Sequence, residues 1–226
     1  MPTILITGAN RGIGLEFAHQ YAHAGWNVHA ACRKPDAATA LHALPGVTVH
    51  KLDVSDRKSI DALAAELDIP LDVVIANAGV MGGDIARQNF GNLDYATWED
   101  VMTVNLYGAV RTAEAFTPHL ERGGQKKLAV ISSQMGSITD TSAGFTMYRT
   151  SKAALNMAMT AAATGLRQKD IAVGIFHPGW VKTDMGGPGA KLTVHESVEG
   201  LRQQIDAIEP TDQPAFLNYA GDVLPW

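Results

Sequence analysis

The sequence predicts a doubly wound α/β fold, a parallel sheet of about seven strands with helices on both faces. Three observations carry that expectation. Short β-rich apolar runs recur along the whole of the 226 residues. The runs are nearly continuous in apolar character, as strands buried on both faces must be. Segments of helical composition and spacing separate them from end to end.

The runs are TILIT at Thr3 to Thr7, VHAAC at Val28 to Cys32, VTVHKLD at Val47 to Asp53 and LDVVIANAG at Leu71 to Gly79. KLAVISS at Lys127 to Ser133, IAVGIFHPG at Ile171 to Gly179 and AFLNYAG at Ala215 to Gly221 complete the set. Such sheets bind ligands in the crevice beyond the carboxyl ends of their strands, so the residues that follow each run are where chemistry is sought. No internal repeat or linker divides the chain, and one domain spanning residues 1 to 226 is expected. DMGGPGAKL, Asp184 to Leu192, reads as a mobile loop beside the crevice, short and Gly-rich enough to leave an open pocket.

Composition narrows the function classes. Lys and Arg total 18 against 23 Asp and Glu, a formal charge of -5, so the basic footprint of a nucleic-acid binder is missing. No run approaches the roughly 20 apolar residues of a membrane span, and the start of the chain lacks a charged leader, which makes a cytoplasmic protein the expectation. The single cysteine, Cys32, rules out an intrachain disulfide and reads as a buried strand thiol. Eight scattered histidines show no metal-ligand spacing, so no metal is expected.

A phosphate cradle stands in the first turn. Gly8, Gly12 and Gly14 in TGANRGIG join the first run to a helix, and Asn10, Arg11 and Ile13 lie between and beside them. Glycines there let the backbone approach a pyrophosphate, while the free N–H groups and dipole of a helix N-terminus favour negative charge. A strand-to-helix turn without ligand would use the same glycines. After the second run, Arg33 and Lys34 stand where an NAD-selective site usually places an acid. Arg33 could bind a 2′-phosphate and Arg11 could reach it from the other side, which favours NADP(H) over NAD(H). Solvated surface cations are the competing reading. Asp53 and Val54 follow the third run, where a carboxylate could accept from an adenine amino group, and Ser55 is the better candidate to cap the next helix. Asn77, Ala78 and Gly79 close the fourth run and could let backbone approach the cofactor.

Tyr148 and Lys152 lie at i and i+4, so on a helix they share a face. They follow a run that ends in Ser132 and Ser133. A phenol with a pKa of about 10 needs its phenolate stabilised to act near neutral pH, and a nearby ammonium would lower it. In the reducing direction the phenol donates a proton to a carbonyl oxygen while hydride reaches the carbon, with Ser133 hydrogen-bonding that oxygen. An ordinary surface pair has the same spacing, so context decides.

TGANRGIG, Asp53 and Val54, NAG at Asn77 to Gly79, NLYG at Asn105 to Gly108, ISSQMGS around Ser133, YRTSK, and HPGWVKTDM from His177 to Met185 occur in this order. In that series the chain resembles the short-chain dehydrogenases/reductases over almost its whole length. It is most similar to the small carbonyl reductases related to C-signal and to the sniffer type. The resemblance implies that Tyr148 is the acid/base and that Lys152 lowers its pKa and binds the nicotinamide ribose. It implies that Asn105 holds a water in the proton relay and that Ser133 orients substrate, since Gly136 completes Ser-x-x-Gly. Ser133 lies further from Tyr148 than is commonest in the family, and Ser132 stays in reserve. Pro178 and Gly179 match the turn under the nicotinamide, Val181 and Thr183 its carboxamide contacts, and His177 a strand-end residue. A homodimer or homotetramer is implied through the Asn105 helix and the alanine-rich helix after Tyr148. The expected function is NADPH-dependent reduction of an aldehyde or ketone. The alternative is a signalling or regulatory protein that binds NAD(P) with incidental turnover.

Overall fold

The computed structural model describes residues 1–226. Its strands are β1 (Thr3–Thr7), β2 (Asn27–Cys32), β3 (Val47–Lys51), β4 (Val73–Ala76), β5 (Lys127–Ile131), β6 (Ala172–His177) and β7 (Phe216–Asn218). They form one sheet in the order β3-β2-β1-β4-β5-β6-β7, with every neighbouring pair parallel. Strand order reverses between β1 and β4, which opens a crevice at their carboxyl ends.

The helices are α1 (Gly12–His23), α2 (Thr39–His42), α3 (Arg57–Leu67), α4 (Tyr95–Met102), α5 (Ala109–Arg122), α6 (Thr146–Arg167) and α7 (Val194–Ala207). Because successive strand residues face opposite ways, Ile4 and Ile6 meet Phe17, Tyr21, Leu201 and Ile205 of α1 and α7 on one face. Leu5 between them joins the cluster of Ile60, Phe116, Leu155 and Met159 from α3, α5 and α6 on the other. Double-sided burial explains the apolar continuity of the runs, and each fully buried Leu, Ile or Phe contributes about 1.5–3 kcal/mol. Cys32 is the expected buried thiol at the end of β2, and burial raises its pKa.

The strands begin within two residues of the expected positions, but β3 to β7 end two or three residues early. Gly79, Ser133 and Gly179, taken into the apolar runs, instead follow the strands, and Asp53 follows β3 as expected. Two other local expectations are corrected. Asp56, not Ser55, caps α3, its carboxylate accepting from the Lys58 N–H at 2.9 Å. Ser55 instead donates from N and Oγ to the Asp53 carboxylate at 3.0 and 2.7 Å. The segment Asp184 to Leu192 is a loop beside the crevice, as expected, and hydrogen bonds fold it into a flap. Trp180 Nε1 donates to the Gly186 carbonyl at 2.8 Å, Lys182 N to that of Leu192 at 2.8 Å, and Ala190 is buried beneath.

The second correction concerns the helix around Asn105. Between α4 and α5 the backbone winds as a π-helix over Thr103–Gly108. Such bulges cost regular hydrogen bonding and concentrate at functional positions.

Candidate active site

The crevice is lined on the β1 side by the glycine turn. Gly8 and Gly12 take positive φ, and a Cβ at Gly14 would lie 2.3 Å from the Gly8 carbonyl oxygen. The chain can pack this closely only without side chains. Arg11 precedes α1 with no side-chain cap, so the first N–H groups of the helix, from Gly12, Ile13 and Gly14, remain available to an anion. Asn77 underpins the turn, its Nδ2 donating to the carbonyls of Thr7 at 2.9 Å and Gly8 at 3.2 Å. Thr7 Oγ1 accepts from the N–H groups of Asn77 and Ala78 at 3.1 and 3.2 Å. Asn77 and Ala78 thus join β4 to the cradle, with Asn10 exposed above it.

At the β2 and β3 ends, Arg33 is exposed and close enough to Asp53 to help hold its carboxyl low, after the stronger effect of the Ser55 hydroxyl. Val54 packs against Gly108 of the π-helix, where a Cβ would meet the Val54 carbonyl at 2.6 Å. Arg11 does not turn toward this end. Its Nη1 lies 2.9 Å from the Asp184 carboxylate, bridging the glycine turn to the flap after β6. Thr183 Cγ2 lies 3.3 Å from where a Gly12 Cβ would stand, so turn and flap meet over the cleft.

Beyond β5, Ser133 and the short turn Gln134–Gly136 sit directly on α6. A Cβ at Gly136 would come 2.9 Å from the Lys152 carbonyl carbon, so glycine fixes how closely the serine turn approaches Tyr148 and Lys152. Tyr148 is buried, and burial pushes its phenol up while the neighbouring Ser133 hydroxyl pulls it down. Ser132 faces elsewhere, donating to Asn156 Oδ1. Lys152 is buried as well, donates from Nζ to the Ile131 carbonyl at 2.8 Å, and is pushed down to about 8 by burial. The expected lowering of Tyr148 by Lys152 is not found here. Nζ lies 5.7 Å from the ring centroid, and desolvation outweighs any help to the phenolate.

Asn105 is fully buried in the π-helix. Its Oδ1 accepts from the Val80 N–H at 2.8 Å, and its Nδ2 donates to the Val80 carbonyl at 2.9 Å and to Ser151 Oγ at 3.0 Å. The side chain is committed to tying the strand-end backbone to α6. A Cβ at Gly79 would lie 3.3 Å from Asn105 Oδ1 and 3.5 Å from Lys152 Nζ, so the Asn77–Gly79 turn passes over both.

Tyr148, Ser132, Ser133, Ile13, Pro178, Gly179, Val181 and Thr183 share one cavity of about 630 Å³. Pro178 is anchored by Ser197 Oγ at 2.6 Å, Gly179 turns with φ 84°, and Thr183 Oγ1 accepts from the Gly186 N–H at 3.1 Å. His177 ends β6 as expected and lines the same cavity. Its Nδ1 is buried without a partner and burial pushes it down to about 4, so the ring is neutral at pH 7. Sequence reasoning missed Thr7, Ser151 and the cavity position of Arg149. Arg149 and Ser151 both lie within YRTSK, the one signal that could have drawn attention to them. No three His, Cys, Asp or Glu side chains gather as a metal cluster, and no helix is long and apolar enough to cross a membrane.

Comparison with known proteins agrees with this geometry. Residues 2–191 match the family model of the short chain dehydrogenases. The chain is 42% identical to C-signal of Myxococcus xanthus over 158 residues, 70% of this chain and 93% of that protein. Among solved structures, the NADPH-bound carbonyl reductase from chicken fatty liver superposes with a TM-score of 0.91 at 34% identity, covering 100% of this chain and 99% of the other. Carbonyl reductase Sniffer of D. melanogaster gives 0.91 at 30% identity and covers 100% of both chains.

Proposed function

The chain belongs to the short chain dehydrogenase family and is thereby an oxidoreductase, and from that premise we propose that it reduces an aldehyde or ketone with NADPH. The observation that carries the reading is that the Tyr148 phenol and the Ser133 hydroxyl line one cavity beyond the sheet, with the Lys152 ammonium buried behind them, 5.7 Å from the Tyr148 ring centroid. The uncapped N-terminus of α1 and the glycine cradle suit a pyrophosphate. Arg33, with no carboxylate within ion-pair distance, suits a 2′-phosphate, and NADPH bound to the chicken carbonyl reductase supports the same cofactor. Asp53 and Val54 are assigned to the adenine end, and Asn77 to Gly79 to the ribose side. Pro178, Gly179, Val181 and Thr183 are assigned to the nicotinamide.

The cofactor supplies hydride when bound. The protein supplies the proton and the geometry. Tyr148 Oη donates to the carbonyl oxygen as negative charge develops there, and Ser133 Oγ donates a second hydrogen bond to the same atom. Lys152 holds the nicotinamide ribose and places positive charge behind the phenolate. Asn105 positions the backbone that a proton-carrying water would use, since its own side chain is fully engaged. The neutral His177 ring gives the cavity a polar wall without a charge.

NADPH and NADH oxidation followed against aldehydes, ketones, quinones and ketosteroids tests this reading. Tyr148→Phe, retaining NADPH binding, lowers turnover by about a hundredfold or more. Wild-type rates in that variant would end the assignment. The likeness to C-signal favours a second reading, a signalling role with incidental turnover. Tight NADPH binding with no oxidation across the whole panel would select it. Exposed Tyr107 on the π-helix and Met157, with small exposed residues Ala161, Ala162 and Gly165, on α6 support association through the helix around Asn105 and α6. Sedimentation at micromolar concentration checks for a dimer or tetramer.

A further inference from the structure

We propose that Arg149 selects the substrate, and that the cavity takes a carbonyl compound with an apolar body and a carboxylate seated on the Arg149 guanidinium. The proposal rests on the carbonyl-reduction reading and names the substrate class within it.

The chain has nine arginines. Six stand within 4.0 Å of a carboxylate. Of the remaining three, Arg33 lies at the adenosine end, and Arg202 stacks on the Tyr21 ring with its guanidinium 4.5 Å from the centroid. The third is Arg149, half-buried on the first turn of α6 beside Tyr148 and lining the same cavity.

Its contacts do not neutralise it. Nε donates to the Gly144 carbonyl at 3.1 Å, Nη1 to that of Met135 at 3.5 Å, and Nη2 to Ser142 Oγ at 2.6 Å. All three acceptors are uncharged. A guanidinium has about five N–H donors, so two remain for a ligand, and these bonds hold the fork in place before one arrives. Pre-ordering removes part of the entropy that binding would otherwise lose.

The other charges around the cavity are weak competitors. Asp140 is the one acid in its lining; it is exposed, lies beyond ion-pair distance of Arg149, and accepts from Gln134 Nε2 at 2.6 Å. His177 is neutral at pH 7. Met81, Ile85, Met135, Phe145, Trp180 and Met185 give the wall large apolar faces beside its uncharged hydroxyls and amide. Three thioethers among them let it follow different shapes, while the single cation demands one kind of group. A site built to pair a buried or half-buried polar group discriminates strongly against an analogue that lacks the partner.

The test compares matched substrates with the purified full chain and NADPH: 4-carboxybenzaldehyde against its methyl ester and benzaldehyde, and benzoylformate against its ethyl ester. The carboxylate member of each pair is expected to have the higher kcat/KM by about tenfold or more. Arg149→Gln should remove that advantage and leave the esters within about threefold of wild type, and Arg149→Lys should restore part of it. Esters reduced as well as acids by the wild type would overturn the proposal. So would an equal loss on acids and esters in Arg149→Gln, which would make Arg149 a tie for the 142–144 loop and nothing more. No NADPH oxidation with any of the five compounds would overturn this proposal, and the carbonyl-reduction reading falls with it only if the wider panel of aldehydes, ketones, quinones and ketosteroids is inert as well.

Discussion

In the buried interior of the site behind Tyr148, the side chains of Asn105, Ser151 and Lys152 are tied to backbone carbonyls or to each other, whereas at the outer rim of the site, where glycine turn and flap meet, Arg11 and Asp184 are exposed and meet only each other. The interior joins β4, the π-helix and α6, so a change there disturbs three elements together. The rim joins two loops, and its ion pair has water as an alternative partner. Proton-transfer geometry is therefore set by the fold, and selectivity by a few charges that can change without unfolding it.

The largest expected effect is in the interior, where function and stability should separate. Burial holds Lys152 down to about 8, against an ordinary lysine near 10.5, a mismatch worth about 3 kcal/mol. Removing the charge relieves that cost while emptying the place behind Tyr148. Lys152→Met should lower kcat/KM by about a hundredfold or more and keep a thermal midpoint at or above wild type. A variant that lost stability in step with activity would show that the lysine, like its neighbours, is chiefly structural.

Asn105→Ala probes the other side of the same interior. It strands the Val80 N–H and carbonyl in a buried site, and each unsatisfied group costs about 1–3 kcal/mol. A loss of about 2–4 kcal/mol in urea unfolding is expected, with activity falling as the backbone relaxes.

Acid should act next. Burial pushes His29 and His177 down to about 4 and lowers His50 and His119 as well. The unfolded chain takes up these protons near pH 6.5, the folded chain only near 4 for the first two. The unfolded state thus binds more protons in that window, and stability falls as pH drops from about 6.5 toward 4. His29 and His50 stack at the sheet edge with ring nitrogens 2.9 Å apart, with Glu66 favouring the charged form of His50. His177 lies in the cavity. Urea midpoints at pH 7, 5.5 and 4.5 should converge between wild type and His29→Phe or His177→Phe as the acid dependence flattens; an unchanged slope in both would assign the acid loss elsewhere.

The sequence made some of this legible. Apolar runs located the starts of all seven strands because burial begins where the sheet begins. Their ends were overrun because residues such as Ser133 and Gly179 leave the sheet and remain enclosed, so hydropathy does not register the turn. Tyr148, Ser133 and Lys152 were readable as a set from the motif order. The π-turn around Asn105 was not, because TVNLYG has the composition of an ordinary helix and the bulge depends on packing against Val54 and Val80. The pairing of Arg11 with Asp184 was hidden by a separation of 173 positions along the chain, and neither residue type in a loop predicts the other.

That pair gives the smallest effect and the sharpest test of the rim. From the sequence Arg11 is expected to reach the cofactor's 2′-phosphate, yet its guanidinium is held by Asp184 at 2.9 Å, with both side chains well exposed. The carboxylate and the phosphate would compete for one cation. Exposed ion pairs are worth about 0.2–1 kcal/mol, so Asp184→Asn should tighten NADPH by no more than about fivefold. NADH lacks the phosphate and should bind unchanged. Fluorescence titration of both cofactors against wild type, Asp184→Asn and Arg11→Met separates the possibilities. If Arg11→Met weakens both cofactors equally, Arg11 does not read the 2′-phosphate. If Arg11→Met weakens NADPH alone while Asp184→Asn changes neither, the acid does not compete, and the contact serves only to hold the flap against the glycine turn.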